Sequence, residues 1–90
     1  MYVVYIIESE LDGSYYIGQT RDLEARIKRH NEGRNIYTAK KRPWQLKFWK
    51  ELDTRSEAVI YEKRLKGLKK REKIINFANK NGFRGVAQSG

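Results

Sequence analysis

The chain has no cysteine, one proline, one histidine and only 11 acidic residues, and each shortage removes options. Without cysteine there is no disulfide framework, no thiolate nucleophile and no cysteine-based zinc or iron–sulfur site, and a reducing compartment is expected. No apolar run approaches the roughly 18 residues that suggest a membrane span. The N-terminal stretch Met1-Tyr2-Val3-Val4-Tyr5-Ile6-Ile7 lacks the basic start and the longer apolar segment of a signal peptide. The expectation is a cytoplasmic protein without membrane association. Ninety residues leave room for one modest core and no second domain.

Against the 11 acids stand 20 Lys and Arg, for a net charge of +9, so a polyanion is the first partner to consider. A lysine-rich surface can be merely solvated, but these charges cluster. Lys40, Lys41 and Arg42 form one block, and residues 63–73 hold Lys63, Arg64, Lys66, Lys69, Lys70, Arg71 and Lys73 against Glu72 alone. That clustering favours nucleic acid.

Residues 2 to 8 and 15 to 19 are β-branched and aromatic, and Asp12-Gly13 between them signals a hairpin. A two-residue turn there would pair residue 5 with 20 and 9 with 16. Tyr5 and Tyr16 would then share a sheet face, about 13 Å apart along the strands. A helix over about 22 to 31 is capped by Asp22 or Thr20. A basic loop follows, ending at Pro43, and a strand over 44 to 52 has its aromatic and aliphatic residues mainly on one parity. Thr54 and Glu57 form a capping box for a helix over 55 to 68, and a further helix covers about 69 to 79. The fold class is α/β (α+β): a three-stranded sheet in β-β-α-β-α-α order with helices packed on it, one domain over 1–82 and a loosely ordered tail over 83–90.

Three polar side chains lean toward apolar faces. At about 100° per residue, Leu23 and Ile27 define the buried stripe of the first helix, and Arg26 and His30 lean onto it. In the second helix Glu62 borders the stripe of Ala58, Tyr61, Leu65 and Leu68. A carboxylate there needs a partner, either a surface bridge to Lys66 or a cation. Trp44 and Trp49 fit the strand pattern as core residues better than as stacking platforms.

The ordered set Tyr5, Tyr16-Ile17-Gly18, Arg26, His30 and Glu62 resembles the GIY-YIG nuclease superfamily. The likeness is closest to the small stand-alone bacterial proteins similar to the nuclease domain found in the DNA-repair machinery of nucleotide excision. It covers about residues 1 to 75 and is carried also by His30-Asn31, Tyr37-Thr38, Arg42-Pro43-Trp44 and Glu62-Lys63. The first motif departs from the family in having Val3 at its nominal glycine. The family's C-terminal asparagine could be Asn76, Asn79 or Asn81.

The resemblance implies a divalent-metal-dependent endonuclease with Tyr5, Tyr16, Arg26, His30 and Glu62 as catalytic residues. One Mg²⁺ or Mn²⁺ would sit on Glu62, Arg26 would stabilise phosphoryl charge, and Tyr5, Tyr16 or His30 would act on the attacking water. The family favours Tyr5 as base, whereas ordinary pKa values favour His30. Lys40, Lys41, Arg42, Lys63, Lys66, Lys69, Lys70 and Arg71 would contact the backbone of DNA, or of RNA, with little sequence preference. A partner protein or a dimer could supply targeting. The alternative is a non-catalytic basic nucleic-acid-binding module on the same fold.

Overall fold

A computed structural model of the protein describes residues 1–85. The β-branched and aromatic N-terminal run forms β1 (Tyr2–Ser9), and Tyr15–Thr20 forms β2 antiparallel to it. Asp22 caps α1 (Leu23–Asn31), its carboxylate accepting the Ala25 N–H at 3.1 Å. One short 3₁₀ turn, Ala39–Lys41, interrupts the basic loop before β3 (Trp44–Leu52). Thr54 opens α2 (Arg55–Leu68) through the expected capping box: its hydroxyl accepts the Glu57 N–H, and the Glu57 carboxylate accepts the Thr54 N–H. Lys69, at φ 61°, ends α2, and α3 (Arg71–Lys80) follows.

Among the described residues the sheet has four strands in the order β2-β1-β3-β4, one more than the sequence suggests. The extra strand is β4 (Arg84–Gly85), paired with Trp49 and Phe48 of β3. Phe83 is buried and meets Tyr61 and Phe77 edge to face. Over 83–85 the expected loose tail is therefore replaced by a docked aromatic and a short edge strand. The remainder of that expected tail, 86–90, lies outside the described residues.

The hairpin register also differs from the two-residue-turn expectation. Ser9 donates its N–H to the Ser14 carbonyl and accepts the Gly13 N–H, and Asp12 accepts from both the N–H and the hydroxyl of Ser14. These bonds close a longer loop, and Tyr5 pairs with Gly18 while Ile7 pairs with Tyr16. Tyr5 and Tyr16 still share a face, but they are now diagonal neighbours two residues apart along the ladder.

The two sheet faces bury different clusters. Val4, Ile6 and Ile17 pack with Leu52, Ala58, Leu65, Ile74, Ala78 and Phe83 beneath α2 and α3. Tyr5, Ile7 and Trp44 pack with Tyr16, Leu23, Ile27, Leu46 and Trp49 beneath α1. β3 serves both, because the register shifts between Ile6 and Ile7, leaving Lys47 as an extra residue between Leu46 and Phe48. This bulge breaks the single parity expected for β3 and turns Trp49 to the α1 face while Phe48 joins the other. Trp44 is a buried core residue and Trp49 packs half-buried against the same cluster, as the strand pattern suggests.

Candidate active site

Tyr5 lies on β1, one strand in from the β2 edge, and its ring crosses Gly18. A Cβ at position 18 would stand 2.5 Å from the Tyr5 hydroxyl oxygen and 2.7 Å from Cζ. Glycine is thus what lets the phenol lie across the edge strand and carry its hydroxyl to the sheet margin. Ile17, the residue between Tyr16 and Gly18, is buried in the opposite core.

α1 supplies the next groups. His30, on its last turn, is only 1% exposed, and its Nε2 lies 2.9 Å from the Tyr5 hydroxyl. Its Nδ1 lies 2.8 Å from the hydroxyl of Thr38, which is fully buried. The Tyr16 ring meets His30 edge to face at 5.1 Å between centroids, and Trp44 lies on its other side at 6.3 Å. Burial lowers the His30 pKa, and the Arg26 and Arg29 charges lower it further, so the imidazole is neutral near pH 7 and offers one donor and one acceptor. Burial pushes the Tyr5 phenol up to about 12, with Tyr16 and Glu62 pushing the same way and Arg26 opposing them. These effects place Arg26 and Glu62 within electrostatic reach of the same hydroxyl.

Glu62 approaches from α2, on the other side of β2. Gln19 faces that side and donates from Nε2 to Glu62 Oε1 at 2.7 Å, while the Lys66 ammonium lies 2.8 Å from Oε2. The i,i+4 bridge anticipated as the structural role of Glu62 is present, but it shares the carboxylate with a residue next to Gly18. A side chain only 17% exposed that already draws an ammonium offers the oxygen chemistry a hard cation accepts. Among the described residues no three His, Asp or Glu side chains gather as a metal cluster. A cation here would have Glu62 as its carboxylate, with water and substrate oxygens completing the shell.

The cations singled out in the sequence divide into two groups. Lys40, Arg42, Lys63, Lys69 and Lys70 are exposed, and Lys66 and Lys69 line a groove with Tyr15, Tyr16, Ile17, Leu65 and Ile74. Arg71 and Lys41 are engaged within the protein. Arg71 pairs with Glu8, donates to the Gly13 carbonyl at 3.1 Å and covers the Tyr15 ring, and Lys41 pairs with Asp12 at 3.2 Å. Of the three candidate asparagines, Asn81 donates to the Phe77 carbonyl at the end of α3. Asn76 and Asn79 are exposed.

Three residues at the site were not among the catalytic candidates read from the sequence. Thr38 and Gln19 touch it directly. Asn31 brackets Trp44, donating to its carbonyl at 3.1 Å and accepting its N–H at 2.6 Å, while the Trp44 indole donates to the Thr38 carbonyl at 2.9 Å. The motif phrases name Asn31 and Thr38, and Gln19 follows Gly18, without saying what they touch; the fold supplies those partners.

Comparison with known proteins identifies the family. The family model described as the GIY-YIG catalytic domain matches residues 1–76. UPF0213 protein SSP2268 of Staphylococcus saprophyticus is 39% identical over 72 residues, covering 79% of this chain and 87% of its own length. A UPF0213 protein of Halobacterium salinarum is 39% identical over 78 residues, covering 86% of this chain and 100% of its own length. No solved structure matches. Since this family model spans residues 1–76 and these relatives match along most of the chain, the protein belongs to the GIY-YIG family of nuclease domains.

Proposed function

We propose that the protein is a divalent-metal-dependent endonuclease that hydrolyses a phosphodiester bond of DNA, with RNA as the alternative polymer. The observation that carries this reading is the meeting of two helices at the β2 margin: His30 bonded to Tyr5 from one face, and Glu62 bonded to Gln19 from the other. The reading requires one phosphate at that margin to meet both.

Glu62 would hold one Mg²⁺ or Mn²⁺, which when bound neutralises phosphoryl charge and lowers the pKa of an attacking water. Arg26 presents a guanidinium to the same phosphate and stabilises the charge that develops on it. Tyr5 accepts the proton of the attacking water as its own proton passes to Nε2 of His30. In that tautomer His30 Nδ1–H donates to Thr38, which fixes the ring. Tyr16 packs on the imidazole and closes the site toward Trp44. Affinity comes from phosphate contacts by the exposed cations, which weaken steeply with salt and carry little sequence preference. The reading is of a cytoplasmic enzyme that cuts with low sequence specificity or selects a DNA structure, with targeting from a partner or a second copy.

The test is nicking of supercoiled plasmid with Mg²⁺ or Mn²⁺. Wild type is expected to nick, and Arg26→Ala to lose activity with its fold intact. A non-catalytic binding module has one observation in its favour, the Lys66 ammonium already seated on Glu62. Equal binding by wild type and Glu62→Ala, with turnover by neither, would establish that reading.

A further inference from the structure

On the α1 side of the site, Arg26, Arg29, His30, Arg34 and Asn35 line a cleft of about 190 Å³. Its wall has three guanidiniums, an imidazole and an amide, and no carboxylate. Arg26 and Arg29 have no ion-pair partner among the described residues, and Arg34 pairs only with Glu32, at 3.1 Å, outside the cleft wall. Arg26 is half-buried and Arg29 exposed, and both line the cleft beside the buried His30. Three like charges held around one hollow repel each other unless an anion sits among them.

The segment that closes the cleft is built rather than loose. Gly33 takes φ 78°, which a side chain would resist, and the Arg42 guanidinium packs against it. The Asn35 side chain accepts the Tyr37 N–H at 2.8 Å, and its carbonyl accepts the N–H groups of Thr38 and Ala39. The Asn35 NH₂ has no hydrogen-bond partner among the described residues, leaving it free to donate to a ligand. Thr38 then ties the segment to His30, the residue that contacts Tyr5. The cleft and the catalytic pair thus share one histidine as a common wall.

We infer that this cleft is a second phosphate subsite, which takes the backbone phosphate next to the scissile one. Arg29, Arg34 and the Asn35 amide hold it, while Arg26 lies between it and the phosphate being cut. The inference rests on the nuclease reading for its substrate class. It adds that the enzyme requires a continuous strand on the α1 side of the cut, opposite the Lys66 and Lys69 groove.

The test is a methylphosphonate walk: oligonucleotides carrying one neutral linkage at successive positions, with Kd measured without added metal for wild type, Arg29→Gln/Arg34→Gln and the charge-preserving Arg29→Lys/Arg34→Lys. One linkage beside the cut is expected to weaken wild type about tenfold. The Gln variant should show no further loss there, its salt slope should fall by about 2, and the Lys variant should recover part of the affinity. Equal loss at every linkage by wild type and the Gln variant, or inorganic phosphate bound as tightly as the oligonucleotide, overturns the subsite. Because Kd is read without metal, a chain that shows this pattern but never cuts would retain the subsite and lose the nuclease reading.

Discussion

The Tyr5 hydroxyl lies 2.9 Å from Nε2 of His30, so the phenol of a central strand and the last turn of α1 share one buried hydrogen bond. Each alone is a poor base near neutrality. The phenol is pushed up to about 12 by burial, and the imidazole is held neutral with both nitrogens occupied. In the proposed mechanism the two act together, the phenol taking the proton of the attacking water as its own passes to the imidazole.

That environment predicts a late-titrating tyrosine. A raised folded-state pKa stabilises the fold below pH 10, and this contribution is lost as pH climbs through 10 toward 12. In a metal-free titration followed by phenolate absorbance, Tyr5→Phe should remove the last phase to ionise. If the last phase survives in Tyr5→Phe, the burial assigned to Tyr5 is wrong.

His30 has the opposite sign. Its folded-state pKa lies below 6.5, so its contribution is present above pH 6.5 and is lost as pH falls through the lower folded value. The charged groups facing it, Arg26 and Arg29, act in the same direction. Urea midpoints should fall between pH 7.5 and pH 5 in wild type, and by less in His30→Gln. An equal fall in both would assign the acid sensitivity elsewhere.

Gly18→Ala places a methyl 2.5 Å from the Tyr5 hydroxyl oxygen. The strain should lower stability by about 1–3 kcal/mol and swing the phenol off His30. Denaturation and the tyrosine titration together check this: a stable variant with an unchanged late phase would contradict the crossing of Tyr5 over Gly18.

Gln19 holds one oxygen of Glu62, and Lys66 bridges to the other. Gln19→Ala is expected to weaken Mn²⁺ binding by about 10-fold or more through a loosened carboxylate, and Lys66→Ala to strengthen it by removing the competing ammonium. Calorimetric Mn²⁺ titration of the metal-free variants reads both. Equal Mn²⁺ affinity in all three proteins would remove Glu62 from the metal site.

Much of this was legible in the sequence because local chemistry and tertiary packing agree. Thr54 and Glu57 cap α2 as their spacing requires, and the lean of Arg26 and His30 onto the Leu23 and Ile27 face brings them to the site. The register was not legible, since Asp12-Gly13 signals a two-residue turn while the Ser9, Asp12 and Ser14 bonds select a longer loop. Nor was the switch of β3 between faces, which depends on a bulge at Lys47 that alternation cannot reveal. Arg29 reads as solvated side chain on a helical wheel. It becomes part of a cleft only because residues 33–38 fold back over α1 and tie to His30 through Thr38.

The most direct measurement is strand cleavage by wild type, Tyr5→Phe and Glu62→Gln across duplex, branched and single-stranded DNA and RNA, with Mg²⁺ or Mn²⁺, alongside Kd for each. Wild type should cut, and both variants should lose about 10²–10⁴ in rate while binding within a few-fold of wild type. Wild type inert on every substrate with either ion, or Glu62→Gln cutting as fast as wild type, would contradict a metal-assisted site at the β2 margin.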